Sequence, residues 1–305
     1  MGMDVIAEGL QFPEGPIALP DGSVILVEIA RGTLSRVMPD GTIEVVSECG
    51  GGPNGAAFGP DGRVYVCNNG GFDTRTDANG RIRILDSLDN YQGGSIQAVD
   101  IETGEAETLY TEVDGNPLRG PNDIVFDASG GFWFTDHGKS MDRQRDHGGL
   151  YYAQPDGSSI EEVIYPVEGP NGIGLSPDDS RLYVAETPTG RVRVWDVVAP
   201  GKLNTPYGKK TRGALLVGLP GEQLLDSLAI DSADHVCVAT IRNGGITDVA
   251  PNGEITHVGT GDPLTTNICF GGPDMTDAYI TGSGTGTLMK TTWHRPGHRL
   301  HFNPY

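Results

Sequence analysis

Six short segments place an oxygen-bearing side chain immediately ahead of an apolar run. They are Glu14 in EGPIALPDGSVILVE, Asn54 in NGAAFGPDGRVYVCN, Asn122 in NDIVFDASGGFWFTD, Asn171 in NGIGLSPDDSRLYVAE, Asp226 in DSLAIDSADHVCVAT and Asn267 in NICFGGPDMTDAYIT. A mixed set of carboxylate and amide oxygens suits a hard divalent cation, Ca²⁺ ahead of Zn²⁺, Mn²⁺ or Mg²⁺. Such a cation, with open positions, polarises an ester carbonyl and stabilises the oxyanion that follows. Asn before Gly is also a common turn residue, because it tolerates left-handed backbone and bonds its own main chain. That accounts for Asn54 and Asn171 without a metal. It does not account for Glu14 or Asp226, which their turns do not require.

For these six residues to act together, the fold must bring six strand starts to one place. Each segment reads as a strand, a turn of Asp, Gly or Ser, and a second strand, and further hairpins lie between the copies: GTLSRVMPDGTIEVVS, RVRVWDV with GALLVGL, and GGITDVAPNGEITHVG. Six copies of a four-strand unit predict an all-β, six-bladed β-propeller, a single domain over residues 1–305, rather than a sandwich or two β-domains. The N-terminal DVIAEG is expected to pair with TGTLMKTTW and close the ring. In a propeller the innermost strands line a central channel, so the six polar residues lie at one mouth. The ends of the second strands run back to that mouth and bring Glu28, Asn68, Asp136, His137, Glu186 and Arg242 there. The long polar segment from Asn69 to Gly94, with Phe72 and Tyr91, is expected to overhang the mouth and to help choose the substrate. KSMDRQRDHGG after His137 forms a second, shorter wall.

The 305-residue chain carries a formal net charge of −20, which disfavours nucleic acid and anionic membrane as partners. No apolar run is long enough to span a bilayer, and MGMDVIAEGLQF lacks the basic and apolar regions of a secretory signal. Cys49, Cys67, Cys237 and Cys269 form no CxxC pair and read as reduced, small core residues of a cytoplasmic protein. A monomer or weak homodimer is expected.

The words FPEGP at 12–16, GPNDIVFD at 120–127, GPNGIGLSPDDSRLYVAET at 169–187 and DSLAID at 226–231 resemble the SMP-30/gluconolactonase/luciferin-regenerating-enzyme family over nearly the whole chain. The resemblance implies a six-bladed propeller with one catalytic divalent metal, usually Ca²⁺, and lactone hydrolysis, with organophosphate hydrolysis in some relatives. It places the metal-binding positions on Glu14, Asn171 and Asp226, and Asn122 on a position that binds metal in some members and lies near substrate in others. Asn54 and Asn267 join the substrate side from the repeat alone, with Asp123 and His137 beside them. Asp226 is the expected general base, or the nucleophile in a rarer mechanism. Asp123 is a second carboxylate whose other reading is a cap on the strand turn. Ser227 stands where the family usually has Gly. No Gly-x-Ser-x-Gly elbow is present, which argues against a serine hydrolase. The leading expectation is a metal-dependent lactonase acting on a small hydroxylated or sugar-derived lactone. The alternatives are a phosphotriester hydrolase at the same metal and a non-catalytic binding propeller. A strictosidine-synthase-like propeller, which uses a catalytic Glu and no metal, fits the Asn-rich mouth poorly.

Overall fold

The PDG-like turn words work through their aspartates. Asp21, Asp61, Asp127, Asp178 and Asp231 each accept a hydrogen bond from the backbone N–H two residues on, at 2.9 to 3.1 Å. This Asx turn reverses the chain between the first and second strands of five successive units. The computed structural model describes residues 2–78, 81–87, 91–141 and 143–305. It arranges six antiparallel sheets in a ring, a six-bladed β-propeller. The innermost strands are Pro13–Ala18, Pro53–Phe58, Pro121–Phe126, Pro170–Leu175, Leu224–Ile230 and Thr265–Gly271. Within the first five blades the strands follow chain order outward, as in Pro13–Ala18, Val24–Glu28, Thr33–Val37 and Ile43–Glu48.

The last blade borrows its outer strand from the N-terminus. Asp4–Glu8 pairs with Thr287–Thr292, with Asp4 opposite Lys290, as the sequence predicts. The joint between last and first blades is also sealed at the inner strands, where Thr266 Oγ1 and Ser283 Oγ both donate to the Pro13 carbonyl. The core lies between blades rather than within them. Tyr65, Phe126, Phe132 and Phe134 pack the second blade against the third. Trp133, Tyr152 and Trp195 pack the third against the fourth. The four cysteines are free thiols, three of them buried.

Every inner strand slips register against its neighbour just after it leaves the mouth. The slips fall between Glu14 and Ile17, Pro53 and Gly55, Pro121 and Ile124, Pro170 and Ile173, Leu225 and Leu228, and Thr265 and Asn267. Such bulges break the strict in–out alternation of a strand and re-aim the side chains beside them. Here they fall where the six polar residues stand. The glycines after Asn54 and Asn171 serve the same region by closeness. A Cβ on Gly55 would collide with the Asn122 carbonyl, and one on Gly172 would stand 2.6 Å from the Leu228 amide nitrogen. Both Asn residues lie within strands, so these glycines let neighbouring inner strands converge instead of making turns.

The opposite end of the channel is closed by the C-terminal segment. His298, Leu300 and Asn303 line the inner cavity from below. Phe302 stands edge-on to Phe126, and the Tyr305 hydroxyl donates to the Leu19 carbonyl at 2.7 Å. Access to the channel centre therefore runs through the mouth at the strand starts.

Candidate functional site

Glu14, Asn54, Asn122, Asn171, Asp226 and Asn267 are all buried at the start of their inner strands, and Asp123 is buried beside Asn122. Glu14 is held from two sides: its Oε2 accepts from the Gly15 amide at 3.0 Å and from Asn267 Nδ2 at 2.9 Å. Asn267 Oδ1 accepts from the Ile268 amide at 2.7 Å. Asn267 thus spends its oxygen on the main chain and its amide on orienting Glu14. Asn122 Oδ1 is enclosed and has no hydrogen-bond partner among the described residues.

Asp123 points down from the mouth and lines the cavity beneath it. Its oxygens accept from the Ile124 amide at 2.9 Å and, across the blade boundary, from the Ile173 amide at 3.3 Å. Ser227 lies between the two shells. Its hydroxyl is 3.4 Å from Asn171 Oδ1 and also bonds Asp123. The single hydroxyl proton can turn to either acceptor, so Ser227 places a donor between Asn171 and Asp123 that a glycine there would lack.

The electrostatics are one-sided. Burial pushes Asp226 up to about 7, and the charge of Asp123 adds to this against a hydrogen bond from the Asn171 side chain. Burial likewise raises Asp123 to about 7, opposed by the Ile124 and Ile173 amides. Glu14 is raised by burial and then by the Asp226 charge. Three buried carboxylates repel one another, and among the described residues no Lys, Arg or His pairs with any of them. Burying such a group without a counter-charge is costly. A cation between Glu14, Asn171 and Asp226, with the unpartnered Asn122 oxygen turned to it, would answer that deficit, so the donor set fits a hard divalent ion.

A second acidic cluster lies near the far end of the fifth blade. Ligand atoms of Asp231, Cys237 and Asp248 come within 4.8 Å of one another. There Arg295 already supplies the positive charge, bonding both Asp231 and Asp248. Asp248 also takes His235 Nδ1 at 2.7 Å and His294 Nε2 at 2.9 Å. This cluster ties the C-terminal segment to the ring, and its acids are already bonded by Arg295 and two histidines.

The residues at the second-strand ends reach the expected face but mostly turn away from the mouth. Glu28 accepts from the Gln11 amide at 2.6 Å and from Ser35 Oγ at 2.7 Å. Asn68 clasps the Gly52 and Gly70 amides, and Asp136 collects the amides of Arg119, Gly120 and Gly138. Glu186 binds Thr189 and Arg193. Arg242 is exposed and paired with Glu222 at 2.9 Å. These side chains fasten loops, because each second strand ends where a blade-to-blade crossing must be satisfied. His137 differs: its Nδ1 is enclosed and unpartnered among the described residues. Burial, then the Arg145 charge, lowers His137 to about 4, so the ring is neutral near pH 7.

The segment from Asn69 to Gly94 contains a hairpin, Phe72–Thr76 paired with Ile82–Ser87; residues 79, 80 and 88–90 of the expected wall lie outside those described. Thr76, Arg81 and Ile82 border a cleft with Leu10, Gln11, Ser283 and Thr285. The hairpin therefore leaves the second blade and reaches the joint of the sixth and first, at the mouth end. Sequence reasoning passed over its anchor. Lys139, 2% exposed, donates from Nζ to the Gly71 carbonyl at 2.8 Å and to Asn69 Oδ1 at 3.3 Å. Its burial was hidden in sequence, since a lysine among DHGKSMDRQR reads as solvated.

A model of the SMP-30/Gluconolactonase/LRE-like region matches residues 12–284. The chain belongs to this family. A lactonase, drp35, from Staphylococcus saprophyticus is 30% identical over 247 residues, covering 80% of this chain and 68% of the relative. A gluconolactonase from Zymomonas mobilis is 26% identical over 319 residues, covering 95% and 81%. The solved structure of a calcium-binding protein, regucalcin, from Agrobacterium tumefaciens superposes with a TM-score of 0.74 at 17% identity, over 98% of each chain, and shows the shared fold. Lactone hydrolysis is thus the activity named among the curated relatives of this SMP-30/gluconolactonase-like chain.

Proposed function

We propose that this chain is a metal-dependent lactonase acting on a small hydroxylated or sugar-derived lactone. Glu14, Asn122, Asn171 and Asp226 would hold one divalent cation, most readily Ca²⁺. The observation that carries the reading is the buried trio Glu14, Asp123 and Asp226 near the Asn122 oxygen: among the described residues the trio has no basic partner and the oxygen no hydrogen-bond partner. When bound, the cation supplies positive charge for the carbonyl oxygen of the lactone.

The chain's own groups divide the remaining work. Asp226 takes a proton from the attacking water as its oxygen bonds the carbonyl carbon. When the ring C–O bond breaks, the same carboxyl returns that proton to the departing ring oxygen, and the product is a hydroxy acid. Burial raises Asp226 in the metal-free mouth, but a bound cation would hold its proton affinity down, so Asp226 acts through proximity to the water rather than through basicity. Asn267 holds Glu14 in register. Asp123, which lines the cavity beneath the mouth, would contact the substrate together with Asn54 and neutral His137.

The test is a panel of lactones with a phosphotriester beside them, assayed with chelator and after Ca²⁺ is restored. Hydrolysis of at least one lactone, lost on chelation and recovered with Ca²⁺, is expected. Turnover that survives full chelation would sink the metal requirement. Phosphotriester turnover without lactone turnover would move the assignment to that class.

A further inference from the structure

We propose that Lys139 is a positioning residue that fixes the inserted hairpin as one wall of the mouth, and so helps decide which lactones fit. The choice among lactones rests on the lactonase reading; the fixing of the hairpin does not.

Lys139 belongs to the third blade, yet its ammonium is spent on the insertion of the second. Besides its bonds to the Gly71 carbonyl and Asn69 Oδ1, Nζ lies 3.5 Å from the centre of the Phe72 ring and 5.2 Å from that of Tyr91. Phe72 opens the hairpin, and Tyr91 stands where the insertion returns to its blade. One cation therefore grips both ends of the excursion. The grip is braced from behind. The Tyr91 hydroxyl donates to the Arg119 carbonyl, and the Arg119 guanidinium lies 5.1 Å from the Tyr91 ring while bonding Asp146. Asp146 in turn accepts from the Lys139 amide at 3.2 Å.

A buried lysine normally needs a carboxylate. Here the Asp136 charge acts on Nζ without an ion pair to it, and the hydrogen bonds of Nζ go to a carbonyl and an amide oxygen beside two aromatic faces, all on the insertion. These four partners all belong to the insertion whose hairpin borders Gln11 and Thr285. Freed at its root, that hairpin would no longer hold its far end against the joint of the sixth and first blades.

The experiment uses the full chain with Lys139→Met, which keeps the stem and removes charge and donors, Lys139→Arg, and Phe72→Leu. Amide hydrogen exchange is followed at 73–77 and 82–85. In parallel, kcat and KM are measured for an unsubstituted five-membered lactone and for one bearing a long side chain. Lys139→Met and Phe72→Leu are expected to speed exchange in the hairpin by about tenfold or more, with the inner strands still protected. The kcat/KM ratio between the two lactones should shift by about tenfold, mainly through KM, and Lys139→Arg should recover part of both effects. Unchanged hairpin exchange in a folded Lys139→Met overturns the latch. If that variant does not fold, unchanged hairpin exchange in Phe72→Leu overturns it instead. Faster exchange with an unchanged lactone ratio overturns the role in selection. A wild-type protein that opens no lactone overturns the functional reading instead, and exchange still decides the latch.

Discussion

Asp226 meets two demands at one carboxylate: it sits among the oxygens that fit a cation, and it is the proposed base for the attacking water. Substitution separates them. Asp226→Asn keeps a carbonyl oxygen for the metal but removes the base, so lactone turnover should fall by about 10² to 10⁴-fold while the propeller still melts cooperatively. Glu14→Gln should instead weaken metal affinity, because it loses a charge at a side chain held by Gly15 and Asn267, and excess Ca²⁺ should restore part of its rate. Initial rates against Ca²⁺ concentration for both variants make the comparison. Recovery of Asp226→Asn to the wild-type rate at high Ca²⁺ would reduce Asp226 to a ligand and send the search for the base to Asp123 or His137. At this scale the sequence revealed residue types but not their partners. Asn267 and Asn122 occupy equivalent repeat positions, yet one amide is consumed by Glu14 and by its own strand while the other oxygen is unpartnered. Nothing local in NICF or NDIV separates them, since the difference arises from the neighbouring blade.

The element that presents these residues is the bulged inner strand. Repeats and turn words were legible because each is a local event: an Asx turn, a hairpin, an alternating strand. The bulges were not, because they concern register between two strands, and the glycines after Asn54 and Asn171 read as turn residues when they are points of strand convergence. Glu28, Asp136 and Glu186 misled in the same manner: their position on the strand predicted the correct face, but loop amides and hydroxyls nearby claimed their oxygens. Convergence makes Gly172 a direct probe. A Cβ there would meet the Leu228 nitrogen at 2.6 Å and the Asp226 carbonyl at 2.8 Å, both backbone atoms that cannot swing aside. Gly172→Ala should push the fourth and fifth inner strands apart beside Asn171 and Asp226. The expected result is a loss of about 1–3 kcal/mol in urea unfolding together with a weaker Ca²⁺ affinity by calorimetric titration. Lost stability with unchanged Ca²⁺ affinity would show that strand convergence does not set the metal geometry.

For the whole molecule, a ring closed by the first and last strands and plugged by its C-terminal segment concentrates uncompensated negative charge at one open mouth. That charge should govern how the fold responds to pH. Asp226 and Asp123, ordinarily near 3.8, are raised to about 7, and Glu14 is raised as well, with burial the largest cause in each. A raised carboxyl pKa means that the folded state holds its proton more tightly than the unfolded chain does. The stabilising contribution is complete below about pH 4 and is lost as pH rises through about 7. Without a cation, the protein should therefore lose thermal stability from pH 5 to 8. A saturating divalent ion binds the ionised form, so the stability it adds should grow over the same interval. The rest of this strongly acidic chain is common to both conditions, so the difference in Tm between Ca²⁺-loaded and chelated protein isolates the mouth. Scanning calorimetry at pH 5, 6, 7 and 8 should show that difference widening by at least about 2 °C toward pH 8. Two parallel Tm curves would mean that the carboxylates at the mouth are already ionised at pH 5, and that burial does not raise the proton affinity of the metal-free trio.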